Sequence, residues 1–589
     1  MVFCSFWCTL HVVVSRARLG RPVVKGTQLK NYVKPVLFSA ATVAVMAGAA
    51  MSVITVPRQP ATPVTGIDIS VSAIASSRGA SGPNKSFSVF SNITSVGVGA
   101  DEVAIAATTT SCNVQPTNNA PYALADWYRP FESGAPGGAD GTSKHPYIVT
   151  NIYRLNAEGR LEQLAASWVK HGWYAASQSQ PMTGAVGSAT GAEPCGTGVC
   201  PSGSPADNQL GSNCADTYTS GHNSDRQYLG PRSEVSSRGT AAAPGFAIRG
   251  SYLDSMNNGN STVAPMFGDS LSLTPATQTD AVRTYGGTGT GQTSKLATIK
   301  KTDVTTAALG PSGRVYIEAY YVVNGDQNKL NNVAWRGFTS NYTTGGLTAA
   351  NLNFASRHTF GPVMFQWGDQ QQQATPTDDG AAYVSSRVVN NPDGTFRYEY
   401  NVYNLDVDRG IEGLSITLPT AANATEVNFR QPRIIDPGFD SEAWVGSVSP
   451  QGDAVTYSVP AVPPNAMNWS KPATPGTPVK TNAIRWGNMY TFWFTSDLPP
   501  RTSGQINMTL GGTGTVAGGL LAIGSVPRAV ADMADGGDGT VDSNDFVAFI
   551  NAFTAGDAAA DVMAGNLPGS DGSVDGNDFI GFINSYIQG

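Results

Sequence analysis

The sequence predicts a mainly β protein: an antiparallel β-sandwich body, one large or two in tandem, with a small α-helical module at the C-terminus. Three observations carry this expectation. Charged residues make up only 13% of the 589, while glycine alone counts 66, a mix that suits short strands joined by many turns. From residue 67 to about residue 512, apolar segments alternate with turn signals, and none of ten residues carries a helical period. Two short stretches near the C-terminus do carry that period.

The chain opens with a basic segment. Residues 1–50 hold Arg16, Arg18, Arg21, Lys25, Lys30 and Lys34 and no acidic residue. Lys30 and Lys34 precede an apolar run from Val36 that ends in small residues at 47–50, the order of a secretory signal peptide with an over-long positive end. Translation from near Leu29 would give that end an ordinary length. The competing reading is an uncleaved membrane anchor, the one route by which a membrane would enter. Residues 51–66 read as a tether. An exported chain keeps four cysteines, Cys112, Cys195, Cys200 and Cys214, and an oxidising compartment favours two disulfides. Proximity alone pairs Cys195 with Cys200 and Cys112 with Cys214, which would staple a long excursion at residues 177–240.

The body divides into a β-rich region at 67–300 and a second at 311–512. One sandwich with long insertions is the alternative. Residues 147–155 and 161–175 flank an Asn-Ala-Glu-Gly turn at 156–159. The second run could open as a helix, but Trp168, Val169, Trp173 and Tyr174 favour a strand. Residues 382–389 and 395–403 flank a turn at 390–394. There Phe396, Tyr398, Tyr400 and Val402 alternate with Arg397, Glu399 and Asn401, which places one face in a core and one in water. Further strands are expected at 314–323, 413–418, 454–459 and 483–494. Residues 513–530 read as a small-residue linker, with a last short strand at 519–524 as the alternative.

The C-terminal segment, residues 531–589, holds ten Asp and no Lys, Arg or Glu. Residues 538–551 recur as residues 571–584 at a constant offset of 33, with ten of fourteen positions identical. Calcium asks for about six to eight hard oxygen ligands from a tightly turned loop. Asp538 and Asp571 precede a glycine that allows the turn. The carbonyls of Thr540 and Ser573 follow two residues on, then Asp542 and Asp575, placed to act through water. Asp545 and Asp578 are placed as closing carboxylates. A helix then begins, capped by Ser543 or Asn544 in the first repeat. Phe546, Val547, Phe549, Ile550 and Phe553 form an apolar stripe at helical spacing, matched by Phe579, Ile580, Phe582, Ile583 and Tyr586. Neither stripe can be buried alone, so the two units are expected to pack with pseudo-twofold symmetry.

This repeat resembles the dockerin family, in particular the variant at the C-termini of exported planctomycete proteins, over residues 531–589. The resemblance implies an EF-hand-like, calcium-dependent module that docks to a cohesin-like or cell-surface protein. The front of each loop departs from the family pattern, which would put ligands at 534 and 536 and again at 567 and 569. Asp532 and Asp535 would substitute through a two-residue insertion, and Asp561 through a longer one. The stretch at 482–494 and the hairpin at 382–403 resemble an uncharacterised planctomycete secreted β-sandwich family, which brings no activity with it.

Chemistry in the body is sparse. His145, His171, His222 and His358 form no two-histidine zinc motif, and no nucleophile elbow, phosphate loop or dinucleotide glycine loop stands between strand and helix. The near-neutral body excludes a basic nucleic-acid footprint. Glu318 and Glu399, on strands among tyrosines, are the weak candidates for a glycosidase pair, against outward-facing strand residues as the plainer reading. Trp127, Trp335, Trp367, Trp444 and Trp493 could offer a sugar-stacking face, against core aromatics. The sequence thus points to a secreted or surface-held β protein whose body is structural or binding. A polysaccharide-acting enzyme or lectin carrying a dockerin is the alternative, with a polysaccharide as its partner.

Overall fold

A computed structural model describes residues 69–74, 87–91, 100–113, 125–126, 147–171, 209–210, 215–218, 220–223, 229–230, 232, 296–311, 313–322, 329–340, 352–354, 358–368, 370–373, 380–407, 410–419, 422–433, 443–449, 454–459, 482–511, 519–534, 537, 539–564, 567–568 and 572–588. Residues 1–66, expected as leader and tether, lie outside these residues, as do Trp127, His145 and every cysteine but Cys112. Among the described residues no helix is long and apolar enough to cross a membrane.

The protein is mainly β, built from antiparallel sheets, and its two longest helices stand at the C-terminus. Strands β1 (Tyr147–Leu155) and β2 (Leu161–Ala166) form a hairpin. Its turn is held by Asn156, whose Oδ1 accepts from the N–H of Glu158 and of Arg160, with Gly159 at φ +75°. Strands β3 (Arg314–Val322) and β4 (Val333–Ser340) extend this sheet, with β3 pairing β1 along its whole length. A boundary between residues 300 and 311 therefore does not separate two sheets: β3 and β4 complete the sheet that 147–171 begin.

A five-stranded sheet follows, in the order β5 (Gln370–Gln373), β6 (Ala382–Asn390), β7 (Phe396–Asn404), β12 (Asn488–Ser496), β9 (Ala424–Arg430). A second has the order β10 (Val445–Val448), β11 (Ala454–Ser458), β8 (Ile411–Thr417), β13 (Pro500–Leu510), β14 (Leu520–Pro527). Residues 520–527 are thus an ordinary sheet strand, longer than the alternative expected at 519–524, and that part of 513–530 is not a linker.

Alternation of side chains explains how the sheets meet. Tyr398, Tyr400, Val402, Phe492 and Phe494 share one buried cluster with Leu414, Ile416, Ile506, Met508 and Leu520 of the second sheet. Tyr383, Tyr403 and Met489, on the opposite face, share another with Tyr147, Val149, Tyr153, Tyr316 and Tyr320 of the β1–β3 sheet. That sheet's other face, Ile148, Ile152, Ile317 and Tyr321, packs with Val71, Ile105 and Ile299 from the earlier strands. The β5–β9 sheet is consequently covered on both sides. The expected water-facing side of β7 is a correction: Glu399 and Asn401 are both 0% exposed.

Candidate functional site

The duplicated C-terminal segment folds as two loop-plus-helix units. Helix α1 (Ser543–Ala555) starts at Asp542, whose side chain accepts from Asn544 N–H, and ends at Gly556 in the left-handed region at φ +63°. The cap is therefore Asp542 rather than Ser543 or Asn544. Helix α2 is Gly576–Gln588, with Asp575 accepting from Asn577 N–H at 2.7 Å in the same way.

The helices meet through equivalent residues. Phe549 stacks on its own counterpart, Phe582, at 4.0 Å and 5°. The pair Phe546–Phe582 at 6.2 Å is mirrored by Phe549–Phe579 at 6.1 Å, and Phe546–Tyr586 by Phe553–Phe579, both at 5.6 Å. Adding or subtracting 33 maps this contact set onto itself, which is the pseudo-twofold packing the repeat calls for. Leu498 and Ala422 of the body join the same cluster, so the module is seated on the body.

The loops repeat as closely as the helices. Asp545 Oδ1 accepts from Met533 N–H at 2.7 Å and Ala534 N–H at 2.6 Å, and its Oδ2 accepts from Asp542 N–H at 2.8 Å. Asp578 Oδ1 accepts from Val562 N–H at 2.8 Å and Met563 N–H at 2.7 Å, and its Oδ2 from Asp575 N–H at 2.8 Å. These carboxylates are 1% and 0% exposed. At the position expected for a closing ligand, each is a buried latch that ties the start of its loop to the start of its helix through three amides. The signal for this was the Asp-x-x-Asp spacing, which is a capping box.

At the front of each loop, Asp532 Oδ2 accepts from Gly539 N–H at 3.1 Å and Asp561 Oδ2 from Gly572 N–H at 2.7 Å. Both the glycines and the latches match at offset 33, but these two aspartates are 29 apart. The second loop holds the four extra residues, and the bridge between Met563–Ala564 and Leu567–Pro568 lies within its greater length. Asp561 thus stands where Asp532 stands, through the longer insertion. Asp535, Asp538 and Asp571 lie outside the described residues. Thr540 and Ser573 are exposed on their loops.

Asp532 is 2% exposed, and its Oδ1 is buried with no hydrogen-bond partner. A buried carboxylate oxygen without a donor is costly, and a hard cation satisfies it. Burial pushes the Asp532 carboxyl above its usual range, opposed by the Gly539 N–H and by Arg501 and Arg528. A calcium ion at the front of the first loop would give that one oxygen a partner, with further ligands needed from elsewhere in the loop. Among the described residues, no group of three His, Cys, Asp or Glu side chains is gathered for a metal.

The body candidates are placed elsewhere. Glu318 is 0% exposed. Its Oε1 accepts from Asn151 Nδ2 (2.9 Å), the Tyr153 hydroxyl (2.8 Å) and the Tyr403 hydroxyl (3.2 Å), and its Oε2 from Val363 N–H (2.9 Å). Glu399 is held by Arg387 and Arg397 at 2.8 Å, with Arg160 at 3.6 Å. Both outward-facing and substrate-facing readings are thereby corrected: the two carboxylates lie in the seam between the β1–β3 and β5–β9 sheets. Trp367 and Trp444 are buried core aromatics, while Trp335, edge-on to Tyr316 at 5.4 Å, and Trp493, under the Arg160 guanidinium at 3.9 Å, are partly buried. Cys112 is buried and disulfide-bonded, with Cys195, Cys200 and Cys214 outside the described residues.

His358 is 4% exposed, edge-on to Phe360, and its Nε2 has no partner. Burial, reinforced by Arg336, pushes its pKa down to about 4 from 6.5. A depressed folded value means the unfolded chain takes up this proton first as pH falls. Stability from this residue is full above pH 6.5 and is lost toward pH 4, by about 3 kcal/mol in all. Urea unfolding of the full chain across that range should show the slope, and His358→Phe should flatten it. An unchanged slope in the variant would remove His358 as its source.

The comparisons with known proteins come to one result. No family model and no curated protein sequence matches this chain. What the chain does is therefore argued from its own geometry.

Proposed function

We propose that the chain is an exported β protein, held at a cell surface or in an extracellular assembly by a calcium-dependent, dockerin-like C-terminal module. The body serves a structural or binding role, and its two five-stranded sheets form a β-sandwich around their shared cluster. The observation that carries the calcium reading is the buried, unpartnered Oδ1 of Asp532 at the front of a duplicated aspartate loop. Asp532 with Asp535, Asp538 and Thr540 would hold one ion, and Asp561 with Asp571 and Ser573 a second. Asp542 and Asp575 stand close enough in sequence to contribute through water. Asp545 and Asp578 shape the loops from behind.

A docking role draws support from the helix starts. Phe546 and Val547 are 37% and 57% exposed, and their counterparts Phe579 and Ile580 are 38% and 59%. Two equivalent apolar pairs on one small module offer a partner the same surface in two orientations, which suits a cohesin-like or other cell-surface protein.

The test is calorimetric titration of the chelator-stripped full chain with calcium chloride. The expected result is binding with Kd of about 10⁻³ M or tighter. Asp532→Asn, which can still accept from Gly539 N–H, should lose one binding event and keep the fold. A wild-type chain that takes up no calcium at millimolar concentration would end the calcium reading.

A further inference from the structure

The first loop is not built from the module alone. Arg501, at the start of β13, lies across Gly539: a side-chain carbon on that glycine would fall 1.7 Å from Arg501 Nη1, and its φ is +95°. Arg501 Nη1 is 3.8 Å from Asp532 Oδ2. Arg528, just past the end of β14, donates through Nη1 to the backbone carbonyl of Asp532, and its Cδ is 3.1 Å from where a Gly537 Cβ would stand. Two guanidinium groups of the body therefore face a loop whose buried acids, among the described residues, are Asp532 and Asp545. Sequence pattern alone could not reveal this, because residues 531–589 contain no basic residue.

The arrangement carries two complementary vacancies. Asp532 Oδ1 is a buried acceptor without a donor, and Arg501 Nε is a buried donor without an acceptor. Buried polar groups are nearly always paired. The contact between these residues is thus incomplete on both sides, at the place where the calcium reading puts an ion.

We infer that the first loop is a charge-balanced joint between module and body, in which Arg501 and Arg528 supply positive charge that competes with calcium. The inference rests on the calcium reading above. A divalent ion at Asp532 meets repulsion from both guanidinium groups and weakens the Arg501–Asp532 contact. By linkage, that contact weakens calcium binding by the same factor. Calcium level would then set how firmly the module's first loop is tied to β13.

Arg501→Gln in the full chain separates the terms, with Arg501→Lys as the charge-keeping control. In calcium titrations, Arg501→Gln should tighten one site by about tenfold, within the usual range of coupling between sites, and leave any other site unchanged. In chelator, where no calcium is present, Arg501→Gln should lower the melting temperature, because Asp532 loses a compensating charge. Arg501→Lys should track the wild type in both measurements. Unchanged or weaker calcium binding in Arg501→Gln overturns the competition. An unchanged melt in chelator overturns the joint. If wild type and variant both ignore calcium while the chelator melt falls, the joint stands and the competition falls together with the calcium reading.

Discussion

Asp578→Ala should destabilise the C-terminal module by about 3–5 kcal/mol, with or without calcium. The carboxylate is fully buried and takes three backbone N–H groups from two separate segments, Val562, Met563 and Asp575. Hydrogen bonds to a charged acceptor contribute about 1.5–3 kcal/mol each, and truncation leaves buried amides with no acceptor. Asp545→Ala removes the same three bonds in the first loop and should act alike. Hydrogen exchange across α1 and α2 in chelator reads the effect directly. Were these residues metal ligands instead, each loss would appear only in calcium.

Glu399→Ala should cost a similar amount, about 3–5 kcal/mol, in the urea midpoint of the body. Three guanidinium groups converge on this carboxylate, two of them at 2.8 Å. Arg387 also donates to the carbonyls of Gly159 at 2.5 Å and Glu158 at 2.8 Å, so it clamps the β1–β2 turn onto the β5–β9 sheet. Arg160 is shared between Glu399 and Glu162, and Glu162 is in turn paired with Arg154. Removing Glu399 leaves buried positive charge in the middle of this chain of ion pairs. Glu399→Gln keeps the volume and one acceptor and should lose less. If Glu399→Ala unfolds at the wild-type urea concentration, the seam is not held electrostatically.

The sheet elements were legible because they obey local rules. Asn156 and Gly159 mark a turn, the alternation from Phe396 to Val402 marks a strand, and both lie where expected. What the pattern could not show is that the polar face of β7 would be covered by another sheet. Alternation reads as half-buried whether the second face meets water or another sheet whose Arg160 lies 239 residues from Glu399 in sequence, and only the fold decides. The β3–β4 pair was assigned to the later region for the same reason, since strand pairing over such separations leaves no local mark.

At the C-terminus the repeat itself was legible, down to the reciprocal packing of Phe549 on Phe582. The roles of its aspartates were only partly so. Asp545 and Asp578 occupy positions that serve for a closing ligand or for the acid of a capping box, and the contacts to the amides of residues 533, 534, 562 and 563 left no mark in the repeat. Asp561 was visible as the counterpart of Asp532 through a longer insertion, and the matching contacts to Gly572 and Gly539 N–H bear out that equivalence. Arg501 and Arg528 were invisible in the repeat, since they come from the body.

A crystal of the full chain grown with calcium tests the account most directly. The account predicts an anomalous peak about 2.3–2.6 Å from Asp532 Oδ1, the distance at which calcium takes oxygen ligands. An Asp532 carboxylate contacted only by water or by Arg501, in crystals bathed in millimolar calcium, would contradict it.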